Sequence, residues 1–357
     1  MKKDYLSGLG YWFAHFSVEI LCFFILYNVF DISENAWFFF CMFDIFAFAS
    51  QPFLGYFCEK HIHFMPGPTG GFLLMAGALV IFFTRDVFFL QLIGLIILTA
   101  GNALVHLSGA LETLKVSEGG LSESAIFVGG GSFGLIAGRL IGAYDRLFFI
   151  PLICEAVAIV IMIILDKRVK ERFGADAYDF DRHPVKHELS TGRAIGITVF
   201  ILAAVITVRS YIGYGLPTAW NYTTVRMILL YIFMGSGKML GGILSDRFGA
   251  RNIGMVSCLL ALPALLFGDN ILWLSLIGVL MFSMTMAVTL GGLVSVLPSN
   301  PGVAFGITTL ALLLGVVPTF FTKMPSRFIC NIMIVILSVL AAAGLWYTVN
   351  NRKRKNI

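Results

Sequence analysis

Between Asp269 and Lys323 the chain contains no Asp, Glu, Lys or Arg, and the same apolar texture, broken only at intervals, runs through most of its 357 residues. A run of that length must be buried in a very large core or placed in lipid. Composition decides between the two. Charged residues make up 13% of the chain, hydrophobic residues 58%, Phe alone occurs 34 times and mean hydropathy is +0.89, whereas about 25% charged is ordinary for a soluble domain. A soluble enzyme, a disordered chain and a nucleic-acid binder are excluded, because so few charges cannot cover a globule of this size. The net charge of +5 therefore carries no message about nucleic acid; its meaning depends on which loops hold the Lys and Arg residues. Cys22, Cys41, Cys58, Cys154, Cys258 and Cys330 are scattered in or beside apolar stretches without paired spacing. They read as small lipid-tolerant residues rather than a disulfide or zinc framework.

Marked off by charges and Gly/Pro signals, the apolar stretches fall at 5–30, 34–57, 67–84, 88–111, 121–144, 147–165, 194–214, 219–244, 252–268, 271–296, 301–322 and 327–349. The count agrees with the about twelve spans obtained by allowing roughly 30 residues for each span and its loop. Helices are the spanning form, because barrel strands would alternate in polarity. Within 270–322 the division rests on Leu297-Pro298-Ser299-Asn300-Pro301-Gly302 alone. Met1-Lys2-Lys3 opens like a secretory signal, but the following run is too long and lacks a small-residue cleavage site, so it is read as the first span.

Basic residues set an orientation. One side receives Lys2, Lys3, Lys60, Lys115, the basic residues of 166–193, Arg247, Arg251 and the Arg352-Lys353-Arg354-Lys355 tail. The other receives only Arg85, Arg146, Lys323 and Arg327. By the positive-inside rule both termini are cytoplasmic and the chain is a multi-pass protein of the plasma or inner membrane. Residues 166–193, the one long polar segment, have too few apolar side chains for a core and read as a cytoplasmic linker between a six-span half, 1–165, and a second, 194–357. A faint repeat supports the division. Gly55-Tyr56-Phe57-Cys58-Glu59-Lys60 and Gly242-Ile243-Leu244-Ser245-Asp246-Arg247 share the order Gly, three residues, acid, base, each after the second span of its half. Matching halves are the signature of a secondary transporter.

These residues carry a resemblance. Gly241-Gly242-Ile243-Leu244-Ser245-Asp246-Arg247-Phe248-Gly249-Ala250-Arg251 resembles the loop motif of the major facilitator superfamily. The resemblance implies an all-α polytopic fold of twelve transmembrane helices in two six-helix halves. It also implies that Asp246, Arg247 and Arg251 hold a cytoplasmic gate, with Glu59 as the acid of a degraded first-half copy. Within the superfamily, Ala14-His15-Phe16-Ser17-Val18-Glu19, and the stretches Gly101–His106, Ser117–Gly120 and Gly129–Gly134, are similar to the fosmidomycin-resistance branch of exporters. Leu107 after His106, and Gly138-Arg139 where antiporters usually have Gly-Pro, depart from that pattern.

An ionisable group at a helix centre in hydrocarbon costs at least about 2.5–3.5 kcal/mol, so each needs a partner or a wet cavity. By the spans above the intramembrane set is His15, Glu19, Asp44, His106, Arg139, Glu155, Arg209 and Arg226, with Glu112, Glu123 and Lys238 nearer the cytoplasmic ends. His15 and Glu19 share one face of span 1, as Asn102 and His106 do on span 4. A His beside a carboxylate suits a proton relay, and equally a hydrogen-bonded pair that locks the two spans together. Asp44 has no partner on its own helix and reads either as a protonatable carboxylate or as one end of a salt bridge. Arg139 and Arg226, brought together by the superfamily's architecture, and Arg209 would bind a substrate anion or be neutralised by Glu155 and the other acids. Tyr222 shares a face with Arg226. Tyr211 and Tyr214 read as aromatic-belt residues, and the Gly129–Gly142 run as close helix packing that lets the halves rock rather than as a nucleotide loop.

The expected function is secondary active transport of a small organic, anionic solute by alternating access, coupled to protons, in the export direction, by a monomer. No cofactor, resident metal, catalytic residue or ATP-binding motif is expected. The alternatives are a divalent metal carrier with His15, Glu19, Asp44 and His106 as ligands, and a membrane-embedded transferase using Glu19 and His15 as acid and base.

Overall fold

The computed structural model describes residues 4–31, 33–185, 194–216, 218, 220–221, 223–323 and 325–349, with Tyr214 described in its backbone only. Tyr222 and the 186–193 part of the linker lie outside the described residues. Among the described residues all regular structure is helical, and twelve segments are long and apolar enough to cross a membrane.

In the first half these are α1 (Tyr5–Ile25), extended by a π-helical turn (Leu26–Phe30), α2 and α3 (Ala36–Ala49 and Gln51–Lys60), α4 (Pro66–Phe83), α5 (Phe88–Val116), α6 (Ser122–Ile141) and α7 (Phe149–Phe173). The second half holds α8 (Ile195–Tyr214), α9 (Thr224–Phe248), α10 (Ala250–Phe267), α11 and α12 (Leu272–Ser283 and Thr285–Val296), α13 (Pro301–Phe321) and α14 (Arg327–Thr348). Two expected spans are therefore broken, one at Ser50 and one at Met284. At the first break Pro52 has no N–H to offer the Phe48 carbonyl, which accepts the Thr309 hydroxyl of α13 at 3.4 Å.

Local chemistry sets the ends. The Asp4 carboxylate caps α1 by accepting from the Ser7 amide at 3.3 Å, and Pro66 and Pro301 begin α4 and α13, where a missing N–H costs nothing. Gly174 and Gly249, at φ 98° and 93°, end α7 and α9 in a conformation that other residues rarely adopt. Phe53, Phe200 and Phe328 are among the side chains left facing outward at more than 70% exposure, a surface suited to lipid rather than water.

The halves meet along α6 with α9 and along α2–α3 with α13. Gly130, Gly134 and Gly138 of α6 lie against the α1 backbone so closely that a Cβ on any of them would fall under 3.0 Å from the carbonyls of Trp12, Phe16 and Ile20. Most of the glycine run expected to ease rocking thus joins two helices of one half; its between-half member is Gly129, against Met239 and the Gly235 carbonyl of α9. Past α7 the chain docks rather than loops freely. Phe180 is buried, the Val185 amide donates to the Pro298 carbonyl at 2.9 Å, and Lys60 pairs with Asp181 at 2.7 Å. In this segment the His183 contact holds the Asp176 carboxyl below its ordinary pKa.

Candidate functional site

Two latches close the end of the structure that carries the linker. At the end of α9, Asp246 Oδ1 accepts the Leu121 amide at 2.8 Å, while Oδ2 accepts the Ser122 amide at 3.1 Å and the Ser122 hydroxyl at 2.5 Å. At the end of α3, Glu59 Oε1 accepts the amides of Gly302 at 2.5 Å and Val303 at 3.3 Å. Each carboxylate therefore sits on the N-terminus of a helix in the opposite half, α6 or α13, where free N–H groups and the helix dipole favour negative charge. One turn before each acid stands a glycine that permits the approach. A Cβ on Gly242 would lie 2.5 Å from the Leu121 carbonyl oxygen, and one on Gly55 would lie 2.5 Å from that of Gly302. The repeat of Gly, three residues and acid is thus a repeat of one contact. The basic members of the motif do not join it: Arg247 lies over the Phe248 ring and Arg251 over Trp346.

Between the halves lies a cavity of about 210 Å³. Its walls include His15 and Glu19 from α1, Asp44 from α2, Asn102 and His106 from α5, Ser132 from α6, Tyr231, Met234 and Lys238 from α9, and Thr308 and Thr309 from α13. The face-sharing pairs on spans 1 and 4 do converge. His106 Nε2 is 2.9 Å from His15 Nε2, and Glu19 Oε1 is 3.3 Å from the first and 3.7 Å from the second. The outer nitrogens are held by backbone: His15 Nδ1 meets the Phe127 carbonyl at 3.0 Å and His106 Nδ1 that of Asn102 at 2.8 Å. Gly131 makes room for this, since a Cβ there would overlap the His15 ring. Asp44 and Lys238 line the same space with no hydrogen-bond or ion-pair partner among the described residues.

The arginines are placed differently. Arg139 stacks over Tyr27, with the guanidinium carbon 4.8 Å from the ring centroid; buried Arg209 donates to the Thr285 hydroxyl at 3.1 Å; Arg226, in the first turn of α9, donates to the Trp220 carbonyl at 3.0 Å. None of the three lines the cavity. Buried Glu155 accepts from Ser17 at 2.8 Å and pairs with none of them among the described residues. The cavity's cation is instead Lys238, which sequence reasoning set nearer a helix end. The expected span stopped at 244, whereas α9 continues to Phe248, which draws Lys238 about a turn further inward. The signal for it was Tyr231, Met234 and Lys238, spaced three and four apart on one face.

No family model matches the sequence, and no curated protein matches it either. Solved structures do. The E. coli fucose:proton symporter FucP, in a single-residue variant, has a TM-score of 0.63 and 13% identity over 95% of this chain and 97% of its own. FucP as a major facilitator superfamily transporter in the outward conformation scores 0.64 at 12% identity over 95% and 98%. The human organic anion transporter MFSD10 scores 0.66 at 13% identity over 97% and 100%. At such identities the likeness establishes the fold: an all-helical membrane protein of major facilitator type, with twelve candidate spans in two halves.

Proposed function

We propose that this chain is a secondary active transporter of the plasma or inner membrane, with cytoplasmic termini, that moves a small organic anion by alternating access. The observation that carries the proposal is the cavity between the halves, walled by both and holding an ammonium and a carboxylate that are unpaired among the described residues. An ionised side chain in such a place is costly without a ligand to meet it. Lys238 supplies the point charge for an anionic group on the solute, and Asp44 takes up and releases the coupling proton. The latches of Asp246 and Glu59 form the gate on the terminal side: they bind backbone amides across the halves through hydrogen bonds, which can release and re-form in each cycle. The names of two structural neighbours, a fucose:proton symporter and an organic anion transporter, agree with this reading. The protein works as a monomer, and export is the direction favoured by the resemblance in spans 1, 4 and 5.

The test is flux in proteoliposomes with an imposed pH gradient, using small carboxylates against their neutral amides. Carboxylates should move and amides should not. Asp44→Asn should abolish gradient-driven accumulation while leaving exchange of labelled for unlabelled solute intact. Failure of every carboxylate to move, or undiminished accumulation by Asp44→Asn, refutes the assignment.

A further inference from the structure

We propose that His15, His106 and Glu19 form a three-ligand site for zinc, or a chemically similar first-row divalent ion, with a fourth position open to the central cavity. Tautomers carry the first step. A backbone carbonyl only accepts hydrogen bonds, so the Nδ1 atoms of His15 and His106, at 3.0 and 2.8 Å from the Phe127 and Asn102 carbonyls, both bear hydrogen. Each neutral ring then turns an Nε2 lone pair toward the other across 2.9 Å. Two lone pairs at that distance repel unless a proton or a metal ion lies between them.

The spacing fits a metal. With bonds of about 2.0–2.2 Å, two ligands of a tetrahedral ion lie about 3.3–3.5 Å apart. The three separations here, 2.9, 3.3 and 3.7 Å, bracket that range closely enough for small ring rotations to equalise them. The donor set of two imidazoles and one carboxylate is that of an open zinc site. Its outer hydrogen bonds are already made, for a ligating His characteristically gives its other N–H to a carbonyl or carboxylate.

A separate observation points to something bound beside the cluster. Asn102 Oδ1 and Ser132 Oγ are buried without partners among the described residues, in side chains 1% and 2% exposed, and both residues line the cavity. Asn102 lies one turn before His106, and Ser132 directly follows the glycine that accommodates His15. A water or solute group on the fourth position would give both atoms a partner.

The site does not depend on transport, so its test uses the full chain, free of affinity tag, in detergent without a gradient. Co2+ should bind with one ion per chain and the intense ligand-field absorption of a four-coordinate ion, and Zn2+ should displace it. His106→Gln should weaken binding by more than about 100-fold, the upper end of what losing even an outer hydrogen-bond partner costs. A His61→Gln/His63→Gln control, which removes two histidines of the α3–α4 loop, should bind as the native chain does. X-ray absorption of the zinc-loaded native protein needs no variant and should show two imidazoles on the metal. Absence of Co2+ binding, equal binding by His106→Gln, or fewer than two imidazoles overturns the proposal. Loss of solute flux with intact metal binding would count against the transport reading alone.

Discussion

If Asp246 holds the two halves together, Asp246→Asn should loosen both latches and not only its own. The carboxylate accepts two backbone amides and a hydroxyl at the start of α6. Asn keeps one acceptor oxygen for one amide, turns an NH2 group toward the other, and removes the charge that the helix dipole favours. Hydrogen bonds to charged groups contribute about 1.5–3 kcal/mol each in stability measurements, and part of that is recovered here by the remaining oxygen and by water. A net loss of about 2 kcal/mol in the closed arrangement, roughly 30-fold in its ratio to the open one, is the expected magnitude. Hydrogen–deuterium exchange reads it directly, since Leu121 and Ser122 contribute the bound amides. Their exchange should rise by roughly the same factor. The decisive peptide lies elsewhere: Gly302 and Val303, bound by Glu59 in the other latch, should accelerate in Asp246→Asn, and Glu59→Gln should accelerate Leu121 and Ser122 in return. Exchange that rises only at the mutated latch would show two independent caps, and the idea of one gate would fail.

Other substitutions test the remaining contacts. Gly242→Ala places a Cβ 2.5 Å from the Leu121 carbonyl, which belongs to backbone and cannot swing aside, so it should mimic Asp246→Asn in the same exchange measurement. Gly131→Ala drives a methyl group into the His15 ring and should reduce Co2+ binding at least tenfold in a spectroscopic titration while the total helix content by circular dichroism stays unchanged. Lys238→Met, which keeps length and removes charge, should abolish thermal stabilisation by carboxylates, read as a loss of their melting-temperature shift; Arg226→Met, at the mouth of α9, should preserve it. Equal loss in both variants would move the anion site away from Lys238.

The fold was largely legible because lipid leaves a chain few options. Where charge is absent for the length of a bilayer only a helix serves, and the twelve expected stretches match the twelve spans to within a few residues except at the ends of α5, α7 and α9. What was hidden were breaks and partners. Ser50 and Met284 interrupt their spans without a charged residue at either break, and only contact with α13 shows what Pro52 is for. Likewise His15, Glu19, Asn102 and His106 could be placed on faces by spacing, but the convergence of two Nε2 atoms depends on the angle at which α1 meets α5. The arginines misled because a guanidinium can satisfy itself on a ring or a carbonyl, as Arg139 and Arg226 do, and sequence does not tell such an Arg from one that waits for a ligand.

The seam between α1 and α6 bears on how such a protein can change. Gly130, Gly134 and Gly138 meet carbonyls of α1 with no room for even a methyl group, so neither helix can accept a bulkier residue along that line without parting from the other. The distance between α1 and α6, two helices that line the cavity through His15, Glu19, Phe23, Val128, Gly131, Ser132 and Leu135, is therefore fixed against gradual change. A lineage, or a laboratory selection, in search of a new cargo can reshape the cavity through side chains such as Phe43, Tyr231, Met234, Thr308 and Leu312, which lie off that seam, but not by moving α1 away from α6.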